Sequence, residues 1–221
     1  AELADQINHL AVKQLASIAS NQQARLIHIS TDYVFDGESN KPYLETDTPN
    51  PINAYSITKL AGEKALQALM PINAIIIRTS WLYSEYGNNF VSTMLRLGRE
   101  RDEISVVSDQ MGSPTYAADL ADVILEIIWH KKFRDVAQTT QIYNYSNEGK
   151  ISWHEFAKEI FKIEKIDCEV NSIASKQYPT PAKRPRNTFI NKDKIVKEFN
   201  IKISNWKFSL NTCMKILKQK Q

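Results

Sequence analysis

Arg25-Leu-Ile-His-Ile-Ser30, running straight into Thr31-Asp-Tyr-Val-Phe-Asp-Gly37, is the stretch whose reading decides the fold. Its first half is a short apolar run with isoleucines, the pattern of a strand buried on both faces. It then stops at small hydroxyl and acidic residues. Upstream, Ile7, Leu10, Ala11, Leu15 and Ile18 recur at three and four, which predicts an amphipathic helix. Downstream, residues 31–53 carry Gly37, Pro42, Pro49 and Pro51 and read as a loop. Loops longer than about a dozen residues in compact domains are commonly functional.

The alternation continues along the chain. A helix is expected over 54–69, a strand over 73–79, a helix over 89–99 and a strand over 104–107. Then come a helix over 117–129, a strand over 141–145, and a helix over 152–161 with Ser152 and Glu155 spaced as a capping box. Two more helices, 192–199 and 206–217, lie beyond Pro179, Pro181 and Pro185. Helices alternating with apolar strands predict an α/β fold with a parallel sheet flanked by helices. In such sheets ligands sit beyond the carboxyl ends of the strands, so the positions after Ser30 and Thr79 are the first places to look.

The 221 residues are 43% hydrophobic and 24% charged, the composition of a soluble globular chain. The longest apolar runs, 74–77 and 123–129, are too short to span a bilayer. No secretory signal pattern opens the chain. The formal charge of +3 is mild and dispersed, which argues against a nucleic-acid partner. Cys168 and Cys213 are too few for a disulfide framework or a four-ligand zinc site, and read as core residues of a reduced, cytoplasmic protein. His9, His28, His130 and His154 have no metal-ligand spacing, so no metal is expected through them. The chain begins at Ala1 within helix-like sequence, which suggests a fragment or a processed product.

Chemistry gathers around the decisive strand. After the loop, Tyr55-Ser-Ile-Thr-Lys59 opens the second helix, and residues four apart share a helix face. A phenol has a pKa of about 10, and a neighbouring cation favours its ionised form. A hydroxyl such as that of Thr31 suits holding a substrate oxygen. The three together suit carbonyl reduction, with Tyr55 giving its proton to the forming alkoxide while a nicotinamide supplies hydride. The spacing alone says little: with nine tyrosines, about one Tyr-x-x-x-Lys arises by chance. Its setting, after a strand ending in Ser-Thr-Asp, carries the weight.

STDYVFDG (30–37), YSITKLAGE (55–63), IIRTSWLY (76–83), GNNFV (87–91) and SDQMGSPTYAADLA (108–121) together resemble the extended short-chain dehydrogenase/reductase superfamily. Within it they are most similar to the dTDP-4-dehydrorhamnose reductases. The likeness runs in order from about Ile7 to Asn187. It implies a partial Rossmann-type sheet over 1–146, the C-terminal portion of an NAD(P)-binding domain, with 88–116 contributing to a substrate lobe. A small C-terminal substrate-binding lobe would occupy 147–221.

By the same resemblance Thr31, Tyr55 and Lys59 are the catalytic hydroxyl, acid and pKa-lowering cation, and Lys59 also holds the nicotinamide ribose. Asn8 joins Tyr55 and Lys59 as a cofactor contact. Asp32, Tyr33, Trp81, Asn89, Gln110 and Arg184 would bind the dTDP-sugar, Arg184 by gripping the diphosphate from the stretch that also holds Lys183 and Arg186. NADPH or NADH would be the cofactor. A homodimer, with Mg2+ at its interface, is a further expectation of the resemblance.

A Rossmann-type cofactor site needs a glycine-rich turn against a helix N-terminus. The six glycines here, at 37, 62, 87, 98, 112 and 149, include no two within six residues of each other. The resemblance places that motif in roughly 70 preceding residues of the fold, so this polypeptide alone is expected to bind NAD(P)H weakly. The resemblance leaves other readings open: another nucleotide-sugar epimerase or reductase, or a non-catalytic regulatory subunit similar to that of methionine adenosyltransferase. Dehydration is disfavoured, because the dehydratases carry Thr-Asp-Glu where this chain has Thr31-Asp32-Tyr33.

Overall fold

A computed structural model describes residues 1–134 and 139–219. The first helix comes in three continuous pieces: α1 (Glu2–Asp5), a π-helical stretch over Gln6–Leu10, and α2 (Ala11–Asn21). β1 (Leu26–Thr31) follows, then a 3-10 turn over Asp32–Val34 and the proline-bearing loop. Asn53 starts α3 (Ala54–Leu69) by accepting from the Ser56 amide, while the Ser56 side chain returns to the Asn53 backbone. Next come β2 (Ala74–Thr79), β3 (Leu82–Tyr83), α4 (Phe90–Glu100), β4 (Glu103–Val107), β5 (Met111–Gly112) and β6 (Thr115–Tyr116). α5 (Ala117–Trp129), α6 (Lys131–Arg134), β7 (Gln141–Tyr145), β8 (Ile151–Ser152) and α7 (Trp153–Glu164) lead to β9 (Glu169–Ile173). α8 (Asp193–Phe199) and α9 (Trp206–Gln219) complete the described chain.

The main sheet has the order β1-β2-β7, all parallel. Its register sets Thr31 beside Thr79 and Thr79 beside Tyr145, so the carboxyl ends of the strands form one even edge. β2 is buried along its whole length, as a central strand with both faces covered must be. On one face Ile76 meets Val12 and Ala16 of α2 and Leu66 of α3. On the other, Ile75 and Ile77 meet Leu120, Val123 and Ile127 of α5, with Ile195 and Phe199 of α8.

A second core joins α4, α7 and α9 over the parallel pair β4–β9, with Val91, Leu95, Phe156, Ile160 and Leu210 at its centre. Its material comes from separate stretches of chain. Ile195, Phe199 and Ile201, between α7 and α9, return to the core of the main sheet. Cys168 and Cys213 are both buried. Among the described residues no helix is long and apolar enough to cross a membrane.

The apolar stripe that announces the first helix is not its buried face. Ile7 is 59% and Leu15 58% exposed, with Leu10 and Ile18 also exposed, whereas Val12 and Ala16 are buried. The reason is close backbone approach: a Cβ on Gly62 of α3 would lie 2.2 Å from the Asn8 carbonyl oxygen. Small residues let these helices meet, and the larger ones are turned outward.

Candidate active site

β1 ends at Thr31, which is buried, and the chain turns at once. The Thr31 hydroxyl accepts from the Tyr33 amide at 3.2 Å and lies 3.2 Å from Asp32 Oδ1, to which it donates. α3 then presents Tyr55 on its first turn and Lys59 one turn on. Tyr55 and Thr31 both line the cavity at the strand ends. Lys59 Nζ donates to the Ile29 carbonyl at 2.7 Å. Thr31, Asp32, Tyr33, Tyr55, Lys59 and Trp81 thus share one open cavity of about 320 Å³ at the strand ends.

A buried ion pair braces this corner from behind. Arg78 of β2 reaches Glu63 of α3 with Nη2–Oε2 at 2.7 Å and Nε–Oε1 at 3.0 Å. Ser30 Oγ donates to the same carboxylate at 2.5 Å. β1, β2 and α3 are thereby tied together one residue or one turn away from Thr31 and Lys59. Asn8, in the π-helical stretch, donates to Thr58 Oγ1 at 3.2 Å. It steadies the Tyr55–Lys59 turn from outside and does not line the cavity.

The electrostatics differ from the sequence-based expectation in one respect. Lys59 was expected to lower the Tyr55 pKa, yet that phenol is raised, chiefly by burial and further by Asp32, against a lowering hydrogen bond from Thr31. The Lys59 ammonium is itself lowered by burial, with Glu63 opposing. Tyr55 is nonetheless 45% exposed, so the upward shift does no more than keep its phenol protonated at neutral pH. Burial pushes Asp32 up to about 7, only partly offset by hydrogen bonds from Thr188 and Thr31. Tyr33 is raised by burial and by Asp32, while Arg184 pulls the other way.

Trp81 follows β2 with φ +47°, a left-handed backbone that bulky residues rarely adopt. Its indole stacks on Trp153, ring centroids 3.6 Å apart and planes 10° apart. Trp153 also borders a second cavity of about 460 Å³, with Phe90, Leu97, Arg101, Gln110, Tyr178 and Arg184. Gln110 is held there by donating to Ser175 Oγ at 2.9 Å. Arg101, Trp153 and Tyr178 were not singled out from sequence, since each stands at an unremarkable helix end or loop position. Asn89 lies in neither cavity: it caps α4, accepting from the Ser92 amide and donating to the Ser84 carbonyl.

Residues 1–219 match the profile of the RmlD substrate binding domain family. The chain belongs to that family. The dTDP-4-dehydrorhamnose reductase of Sinorhizobium fredii is 41% identical over 207 residues, covering 92% of this chain and 70% of the relative. The enzyme of the same name from Aggregatibacter actinomycetemcomitans is 42% identical over 213 residues, covering 92% and 71%. Among solved structures, the dTDP-4-dehydrorhamnose reductase of Clostridium acetobutylicum superposes with a TM-score of 0.91 at 40% identity, over 98% of this chain and 74% of that one. The Bacillus anthracis reductase, in complex with NADP, gives 0.91 at 38% identity over 97% and 74%. Nucleotide-sugar dehydratases and epimerases at 17–19% identity share the fold.

The residues present fit one end of such a cofactor. Tyr55 and Lys59 open onto the cavity, and the Lys59 ammonium keeps N–H groups beyond the one given to Ile29. No glycine-rich turn for the pyrophosphate exists in the sequence. Among the described residues no group of three or more His, Cys, Asp or Glu could hold a metal ion, so the interfacial Mg2+ expected from the resemblance has no such cluster behind it.

Proposed function

We propose that this chain carries the proton donor and sugar site of an NAD(P)H-dependent reductase. The reaction is conversion of dTDP-4-dehydro-6-deoxy-L-mannose to dTDP-L-rhamnose, a building block of bacterial surface polysaccharide. One observation carries the reading: Tyr55, Thr31 and Lys59 converge on a single cavity at the strand ends. The relatives are dTDP-4-dehydrorhamnose reductases, which points to the substrate, and the Bacillus anthracis complex with NADP favours NADPH as the hydride source.

A nicotinamide held by Tyr55 and Lys59 would supply hydride for the carbonyl carbon of the sugar. Thr31, turning its one hydroxyl proton from Asp32 to the substrate, holds the carbonyl oxygen beside the Tyr55 hydroxyl. Tyr55 keeps its proton until negative charge develops on that oxygen, then gives it up. The Lys59 cation stabilises the phenolate left behind. Asp32 and Tyr33 form the floor under the sugar, and Trp81 faces its ring. The second cavity, with Arg101, Arg184 and Gln110, takes the nucleoside diphosphate. Asn8 acts on the cofactor side through Thr58 and the helix turn.

Two cavities that meet at one indole suit a long, two-part ligand, which favours a nucleotide sugar over the regulatory-subunit reading. Tyr33 in place of a dehydratase glutamate favours reduction over dehydration. In the gene product that contains this chain, NADPH oxidation dependent on dTDP-4-dehydrorhamnose is expected. Tyr55→Phe is expected to lower it at least ~100-fold with dTDP-L-rhamnose binding nearly unchanged. Full activity in Tyr55→Phe would overturn the assignment.

A further inference from the structure

We propose that Trp153 is a positioning residue for the sugar: it holds the Trp81 indole at the angle that presents the sugar to Tyr55. The inference rests on the nucleotide-sugar reading above and extends it to a residue in the other core. Trp81 stands on a strained left-handed backbone, and such strain persists only when the surroundings over-determine it. Three contacts do so. The Trp81 carbonyl accepts from the Thr115 amide at 3.2 Å. Gly112 lies against one side of the ring, so close that a Cβ there would sit 2.7 Å from Trp81 Cε2 and 2.8 Å from Nε1. Trp153 covers the ring in a parallel stack at 3.6 Å.

Trp153 is itself fixed from several directions. It is the first residue of α7, directly after Ser152, whose reciprocal cap with Glu155 sets the helix start. Phe90 of α4 tilts against it at 4.5 Å. The indole therefore transmits the position of the second core onto Trp81. It is also the residue common to both cavities, the place where a ligand reaching from Arg184 to Tyr55 crosses between them. The parallel contact fixes the plane of the Trp81 ring, because in a close-packed pair either indole can tilt only by displacing the other. A Trp81 freed from its partner leaves its strained conformation and the sugar loses its wall.

The test is calorimetric titration of the 221-residue chain with dTDP-L-rhamnose and, separately, with dTDP. Trp153→Ala should weaken dTDP-L-rhamnose about 10-fold, while dTDP stays within about threefold. Trp153→Phe keeps a stacking ring and should recover most of the loss. Gly112→Ala, whose added methyl would press on the Trp81 indole while leaving the Trp153 side chain in place, should reproduce the sugar-selective loss and guards against a folding defect in the alanine variant. Equal affinity for dTDP-L-rhamnose in Trp153→Ala and the parent, or equal losses for both ligands, would overturn the positioning role alone. Failure of the parent chain to bind either ligand would overturn the nucleotide-sugar reading, and this inference with it.

Discussion

Asp32 is a carboxyl whose charge the fold suppresses, and its consequence can be measured. Its folded pKa, about 7, lies above the ordinary value of 3.8 because burial penalises the anion. A group raised in this way adds full stability below the unfolded pKa and loses it as pH rises through the folded one. Between pH 5 and pH 8 the parent should therefore lose about 2–3 kcal/mol relative to Asp32→Asn, read by urea unfolding. An unchanged difference across that range would refute the buried-acid picture. His28 works in the opposite sense: burial, then Lys59, lowers it to about 4, so its stability contribution is lost as pH falls below 6.5. Comparing Asp32→Asn with its parent cancels that background. Thr31, Tyr55 and Lys59 were legible because the one-turn spacing of Tyr55 and Lys59 follows a strand that ends in Ser30-Thr31-Asp32. It did not reveal that Lys59 is engaged with the Ile29 carbonyl, or that Trp153 reaches Trp81, since both depend on chain segments meeting from afar.

Among the elements, those announced by local signals were readable. α7 opens on Ser152 with Glu155, the reciprocal cap read from the sequence, while the matching caps of α3 (Asn53 with Ser56) and α4 (Asn89 with Ser92) went unread, Asn89 standing in the sequence reading as a substrate residue. Asn89→Ala should cost about 1 kcal/mol of stability, and Asn89→Ser or Asn89→Asp a few tenths, as thermal unfolding would show. A cost below the error of measurement would mean that the cap is replaced by water. Two further things were not legible. β9 reads as a mixed polar stretch, and becomes a strand because β4, sixty-odd residues earlier, offers it a parallel edge. The buried face of α2 was hidden because its contact with α3 depends on Gly62 and on Ala16, residues whose contribution is the room they leave.

For the molecule as a whole, the outward apolar stripe has a price in solution. Leu3, Ile7, Leu10, Leu15 and Ile18 lie exposed along one side, Trp129 is 70% exposed beside Ile128, and β1 is an edge strand among the described residues. Contiguous apolar surface and an open strand edge both promote association. The 221-residue chain should self-associate with rising concentration in sedimentation velocity, and Ile7→Lys with Leu15→Lys should shift it toward monomer. A parent that stays monomeric throughout would count against this. A titration with NADPH should show weak binding or none, as the glycine spacing implies. The parallel sheet and the cavity at its strand ends were readable at this scale, while the two cores were not, because β4 with β9 and α7 with α9 assemble from stretches that the chain visits in turn.

That interleaving bears on how such a protein can change. Between α7 and α9 the chain leaves the second core, contributes Ile195, Phe199 and Ile201 to the first, and comes back. No single cut releases either core whole. A part built on the second core therefore cannot be traded between relatives as a cassette, and a change in what its cavity accepts has to arise by replacing individual side chains along the walls.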